Sequence, residues 1–158
     1  MTEYIHYGHK EFDKNKFNKV TNESCCVKPT GGLWASPVDA KFGWRDWRDE
    51  ENFRDCNEDN SFKFTLTENS KVLHLRSVKD LATIPEQEEK TMYKLASSFY
   101  IDFEKLIEMG YDAVELHLSD DLNDYDYELE HSLYWKLYGW NCDSIVILNP
   151  DIVVPTSA

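Results

Sequence analysis

Trp140-Asn141-Cys142-Asp143-Ser144-Ile145-Val146-Ile147-Leu148-Asn149-Pro150-Asp151 is the stretch whose reading decides the fold. A short apolar run closed by Asn-Pro reads as a buried strand, Ser144 to Leu148. Asp143 stands at its entrance, and an acid at the mouth of a central strand is a place for chemistry. Two earlier stretches read as its partners. Tyr4-Ile5-His6-Tyr7-Gly8 is rich in β-formers and ends at glycine. Gly31-Gly32-Leu33-Trp34-Ala35-Ser36 follows a turn at Lys28-Pro29-Thr30, and Pro37 stops it. Two glycines directly before a strand let another group approach the backbone.

Working outward, Ser61 to Leu66 alternates with period two and predicts a strand. Thr67 to Ser70 is a turn, and Lys71 to Leu75 a second strand, so the two predict a hairpin. His74 reads there as a half-exposed structural histidine. Ser77 is placed to cap a short turn through Leu81. Cys25 to Val27 is a candidate edge segment. Phe42 to Phe53 mixes rings with charge, and a helix there sets Trp44 and Trp47 on one face. From Pro85, the steps Met92, Leu95, Phe99, Phe103, Leu106 and Ile107 predict one long helix that ends near Gly110. A strand follows at Ala113 to Leu118, then a shorter helix at Tyr127 to Tyr138, and a last short strand at Ile152 to Val154. The aspartates 112, 120, 121, 124 and 126 lack the ligand order of a calcium loop and read as a solvated acidic loop. No metal site is expected. The order of elements is α+β.

The bulk composition narrows the function. With 158 residues, one domain spanning 1–158 is expected. Apolar residues at 41% and charged residues at 30% suit a globular chain rather than a disordered one. Aromatics at 14% call for a dense core or a ring-lined groove. Seventeen basic against thirty acidic residues give a net charge of −13, which repels phosphate backbones and makes nucleic-acid binding unlikely. The sequence has no apolar run long enough for a membrane span and no basic-then-apolar leader. Cys25, Cys26, Cys56 and Cys142 fit neither a zinc pattern nor a disulfide framework, so reduced thiols in a cytoplasm are expected.

Taken together, Ile5-His6-Tyr7-Gly8, Gly32-Leu33-Trp34-Ala35-Ser36 and Asp143 to Asn149 form an ordered set. The set resembles the ADP-ribosyltransferase superfamily, in its poly(ADP-ribose) polymerase-like and diphtheria-toxin-like branch. A small, divergent member is implied, of the sort bacteria and their phages use. The resemblance implies a split pair of packed antiparallel β-sheets, with a long helix and a shorter one, gripping NAD as substrate. It assigns His6 to the ribose, Trp34 to stacking on nicotinamide, and Asp143 to the oxocarbenium-like centre. His6 and Asp143 are the implied catalytic pair. His6, Tyr7, Gly8, Gly32, Trp34 and Ser36 are the implied NAD contacts. Arg45, Trp44 and Trp47 lie where the family places target or NAD-covering loops. The family's usual tyrosine and glutamate are replaced here by Trp34 and Asp143. The chain is therefore read as an NAD-dependent transferase acting on a protein or other acceptor. The alternative is a non-catalytic acidic interaction or inhibitor protein on the same fold, with or without NAD binding.

Overall fold

The computed structural model describes residues 1–23, 28–51, 57–87, 100–117, 140 and 142–156. Seven strands form one mixed sheet. They are β1 (Tyr4–Tyr7), β2 (Leu33–Pro37), β3 (Ser61–Leu66), β4 (Val72–Leu75), β5 (Ala113–Leu116), β6 (Ser144–Ile147) and β7 (Val153–Pro155). The spatial order is β4-β5-β6-β2-β1-β3-β7. β4 and β5 run parallel, and the other neighbours are antiparallel. All four residues of β5 and of β6 are buried. The apolar run of β6 follows from that place, with packed side chains on both faces.

The two faces carry separate cores. Leu75, Val114, Leu116 and Val146 pack on one with Leu81, Phe103, Leu106 and Trp140. Tyr4, Ala35, Phe64, Ala113, Ile145 and Ile147 pack on the other with Phe12, Phe17 and Ile152. The second face is strongly curled. The Tyr4 hydroxyl on β1 donates to Glu115 on β5 at 2.9 Å, although β2 and β6 lie between them. Three strand spacings come to about 14 Å in a flat sheet, too far for two side chains to meet.

The helices among the described residues are short. α1 (Trp44–Glu51) starts where the Gly43 N–H donates to Asp46 and the Trp44 N–H to Ser36 Oγ. α2 (Val78–Ala82) has a capping box between Ser77 and Asp80. α3 (Phe103–Glu108) is capped by the Asp102 carboxylate, which accepts from the Lys105 N–H.

These elements overturn the expected split sheets and long helix. Glu86 bridges Ile101 in antiparallel fashion, the Gln87 N–H donates to Tyr100 O, and the Asp102 N–H to Pro85 O. Fifteen helical residues would hold positions 86 and 101 about 22 Å apart. Positions 85–87 and 100–102 instead lie side by side, and among the described residues the helix begins at Phe103. Met92, Leu95, Phe99, Cys25 to Val27 and the helix at Tyr127 to Tyr138 lie outside the described residues.

The hairpin expected between β3 and β4 does not form either. β3 has β1 on one edge and β7 on the other. β4 is held elsewhere, because Asp112 takes both backbone groups of Lys71: the Lys71 N–H donates to Asp112 Oδ2, and the Asp112 N–H donates to Lys71 O. Among the described residues, no helix is long and apolar enough to cross a membrane.

A candidate ligand cleft between the first two strands

β1 and β2 register two pairs, Tyr4 with Pro37 and Ile5 with Ser36, whereas β1 and β3 register four. Past Ile5, the imidazole of His6 takes the place of the ladder: its Nδ1 lies 2.6 Å from Trp34 O. A carbonyl can only accept, so this contact puts the proton on Nδ1 and leaves Nε2 as an acceptor. Nε2 meets His9 Nδ1 at 3.2 Å, and the two rings stack at 5.4 Å. Burial pushes the His6 pKa below its ordinary value; the Trp34 carbonyl pulls upward and His9 pushes further down.

A cavity of about 250 Å³ opens at this parting, lined by His6, Tyr7, Lys28, Trp34 and Trp44. The Lys28 ammonium sits 4.7 Å from the Trp34 ring centroid and 4.9 Å from that of Trp44. It is a cation between two indole faces. Burial lowers its pKa, so the ammonium is held against its preference for water. Trp34 is braced from behind by the edge of Trp140, with ring centroids 4.8 Å apart. Trp44 meets Trp47 edge to face at 5.5 Å. The Trp44 indole N–H is buried without an acceptor among the described residues.

Tyr7 and Trp44 also line a second cavity of about 470 Å³, which includes Ser36, Arg45, Glu58 and Lys63. Arg45 pairs with Glu58 there at 2.9 Å. Tyr7 of β1 and Trp44 of α1 thus form the wall common to both spaces.

The residues expected to form one site divide into two groups. His6, Tyr7 and Trp34 come together in the smaller cavity. Gly8 closes β1 with φ +121°, and its N–H donates to Asn60 O. Gly32 is absent from both linings. With φ +78°, its added Cβ would stand 2.8 Å from Val146 Cγ2 and 2.9 Å from Val20 Cγ2. Packing therefore accounts for this glycine, not an approaching ligand. Ser36 is a buried junction: its hydroxyl donates to Asp143 O at 2.8 Å and accepts from the Trp44 N–H at 2.9 Å.

Asp143 is buried, at 6% exposure, and is held by its backbone to Phe42 and Ser36. It lies outside both linings, one residue from the start of β6. Ser36 is the physical link between the acid's strand and the ring-lined cleft. Lys28 was missed from sequence because Lys-Pro-Thr-Gly-Gly reads as a turn. Its only sequence signal is a cation beside glycines that bring β2 close. Comparison with protein-family models, with characterised proteins and with solved structures finds no match for this chain.

Proposed function

We propose that the cleft between β1 and β2 binds NAD and that the chain transfers ADP-ribose from it to a protein acceptor. The observation that carries this reading is the Lys28 ammonium between Trp34 and Trp44. The oxidised nicotinamide ring is itself a flat cation. It fits between two indoles as well as an ammonium does, and stacks over far more area. Displacing Lys28 returns a disfavoured buried ammonium to water and leaves it near the phosphates. The buried Trp44 N–H offers a donor to a ligand oxygen. The neutral His6 offers Nε2 to a ribose hydroxyl when the ligand takes the place of its His9 contact.

In the reaction, the bond from the ribose carbon to the nicotinamide nitrogen breaks and its electron pair neutralises the ring. The acceptor then attacks that carbon and gives up its proton. Asp143 is assigned the negative charge behind the developing oxocarbenium centre; its backbone carbonyl, held by Ser36, ties it to the cleft. Among the described residues the strands form one mixed sheet and not the family's two, so the proposal rests on these side chains. The free, buried Cys142 accords with a cytoplasmic setting. The net charge of −13 suits a basic protein as acceptor.

A second reading, NAD binding without turnover, is favoured by Asp143 lying outside the cleft lining. One assay separates the two: nicotinamide release and ADP-ribose transfer, with NAD-dependent thermal shift measured in parallel. Turnover is expected from the wild type, with a loss of at least about a hundredfold in Asp143→Ala. Thermal shift without release selects the binding reading. Neither shift nor release removes both.

A further inference from the structure

A second cluster lies at the other end of the sheet. Parallel pairing of β4 with β5 sets His74 directly opposite Glu115. The two-residue period of a strand returns His117 to the Glu115 face. The His117 N–H donates to Leu75 O at 2.9 Å and so keeps that ladder going one residue beyond β5. Three side chains thus converge. His74 Nδ1 is 2.9 Å from His117 Nε2 and 3.5 Å from Glu115 Oε2. His117 Nε2 is 3.8 Å from Glu115 Oε1. Every pair of ligand atoms falls within 4.8 Å.

From this geometry we propose that His74, Glu115 and His117 form a binding site for a divalent cation of the zinc class. Tetrahedral zinc, with bonds of about 2.0–2.1 Å, holds its ligand atoms about 3.3–3.4 Å apart. The separations of 2.9, 3.5 and 3.8 Å bracket that spacing. The His74–His117 contact needs one ring proton between the two nitrogens. The ion takes its place once that proton moves to the other nitrogen of the same ring.

Glu115 has what a metal-binding carboxylate needs. It is buried, at 2% exposure, and its Oε2 accepts from the Tyr4 hydroxyl at 2.9 Å, which fixes its orientation. Burial raises its pKa, and the charges of Asp143 and Asp39 push the same way, while Tyr4 and Arg76 oppose them. A dication relieves that excess of negative charge. His74 lies on the edge strand with its side chain 43% exposed. The fourth position therefore faces solvent and takes water, the open arrangement of three protein ligands.

Zinc titration by calorimetry, repeated in competition with a chromophoric chelator, tests the site. The wild type should bind one equivalent, and cobalt(II) in its place should show the visible bands of a tetrahedral ion. His74→Ala, an exposed edge change that leaves the core intact, should weaken binding by more than about tenfold, as should His117→Ala. Tyr4→Phe should weaken it about tenfold through loss of the orienting bond. His9→Ala, in the other histidine pair, should leave it unchanged. No zinc binding by the wild type, or an affinity that survives His74→Ala, overturns the site.

Discussion

The molecule holds two histidine pairs of nearly the same internal geometry. His6 and His9 have ring centroids 5.4 Å apart; His74 and His117 have theirs 5.2 Å apart. Each pair also brings two ring nitrogens within hydrogen-bonding reach. Their surroundings assign them different chemistry. His6 is tied to a backbone carbonyl beside two indoles, so its Nδ1 is committed as a donor and its Nε2 is left an acceptor that meets His9. His74 and His117 face a buried carboxylate instead, so three donors turn toward one point. The third partner, carbonyl or carboxylate, decides what an imidazole pair can hold.

The strongest way to break the comparison is to disturb the packing behind β2, the cleft's second strand. Gly32→Ala drives a methyl against Val146 and Val20 and forces alanine to φ +78°. The expected cost is about 2–4 kcal/mol, from overpacking together with left-handed strain. Urea unfolding measures it, and a change below about 0.5 kcal/mol would show that β2 can shift freely against β6. The NAD-dependent thermal shift should fall with it, while the folded fraction keeps its zinc response.

Tyr4→Phe acts on the opposite end from a residue of the cleft's own strand. Phenylalanine keeps the stacking on Phe64, at 5.6 Å, and removes only the hydroxyl given to Glu115. Leaving that buried oxygen without its donor should cost about 1–3 kcal/mol without zinc. Saturating zinc should widen the loss by about 1.4 kcal/mol, since a variant that binds the ion about tenfold more weakly gains that much less from it. If denaturant midpoints with and without zinc shift equally, Tyr4 serves the core and not the cluster.

How much of this was legible in the sequence follows from the range of each interaction. β3 was predicted at its observed bounds, Ser61–Leu66, because period-two alternation is a local property. β6 was read from its apolar run for the same reason. Pairing is not local. The Thr67–Ser70 turn does form, with the Ser70 N–H donating to Thr67 O, yet β4 leaves β3 because Asp112 captures Lys71 from 41 residues away. The long helix failed on a bridge between Glu86 and Ile101 that no periodicity announces. The site shows the same division. His6 and Trp34 stand out by their order along the chain, and their strands do meet. His74 was read as structural because Glu115 and His117 approach it only through a parallel pairing. Gly32 was read as room for a ligand, and the room is filled by Val146 and Val20.

The smallest expected effect separates the pairs by pH. The folded protein holds His6 below its ordinary value of 6.5, chiefly by burial. Between that folded value and 6.5, the unfolded chain binds the proton more readily than the folded one. The stability tied to neutral His6 is therefore complete above pH 6.5 and is lost as pH falls through the folded value. His74 is also lowered by burial and contributes a slope of the same sign. The difference between wild type and His6→Gln isolates His6, because the His74 contribution is common to both. Unfolding midpoints taken from about pH 8 down to about pH 5 should converge as the pH falls, with the variant profile the flatter. The difference in slope should stay below one bound proton, and the NAD-dependent thermal shift of the wild type should decline over the same window. Parallel profiles would mean that the imidazole of His6 stays as open to water in the folded chain as in the unfolded one. The carbonyl contact at Trp34 would then not set its tautomer, and the contrast with the His74 pair would lose its basis.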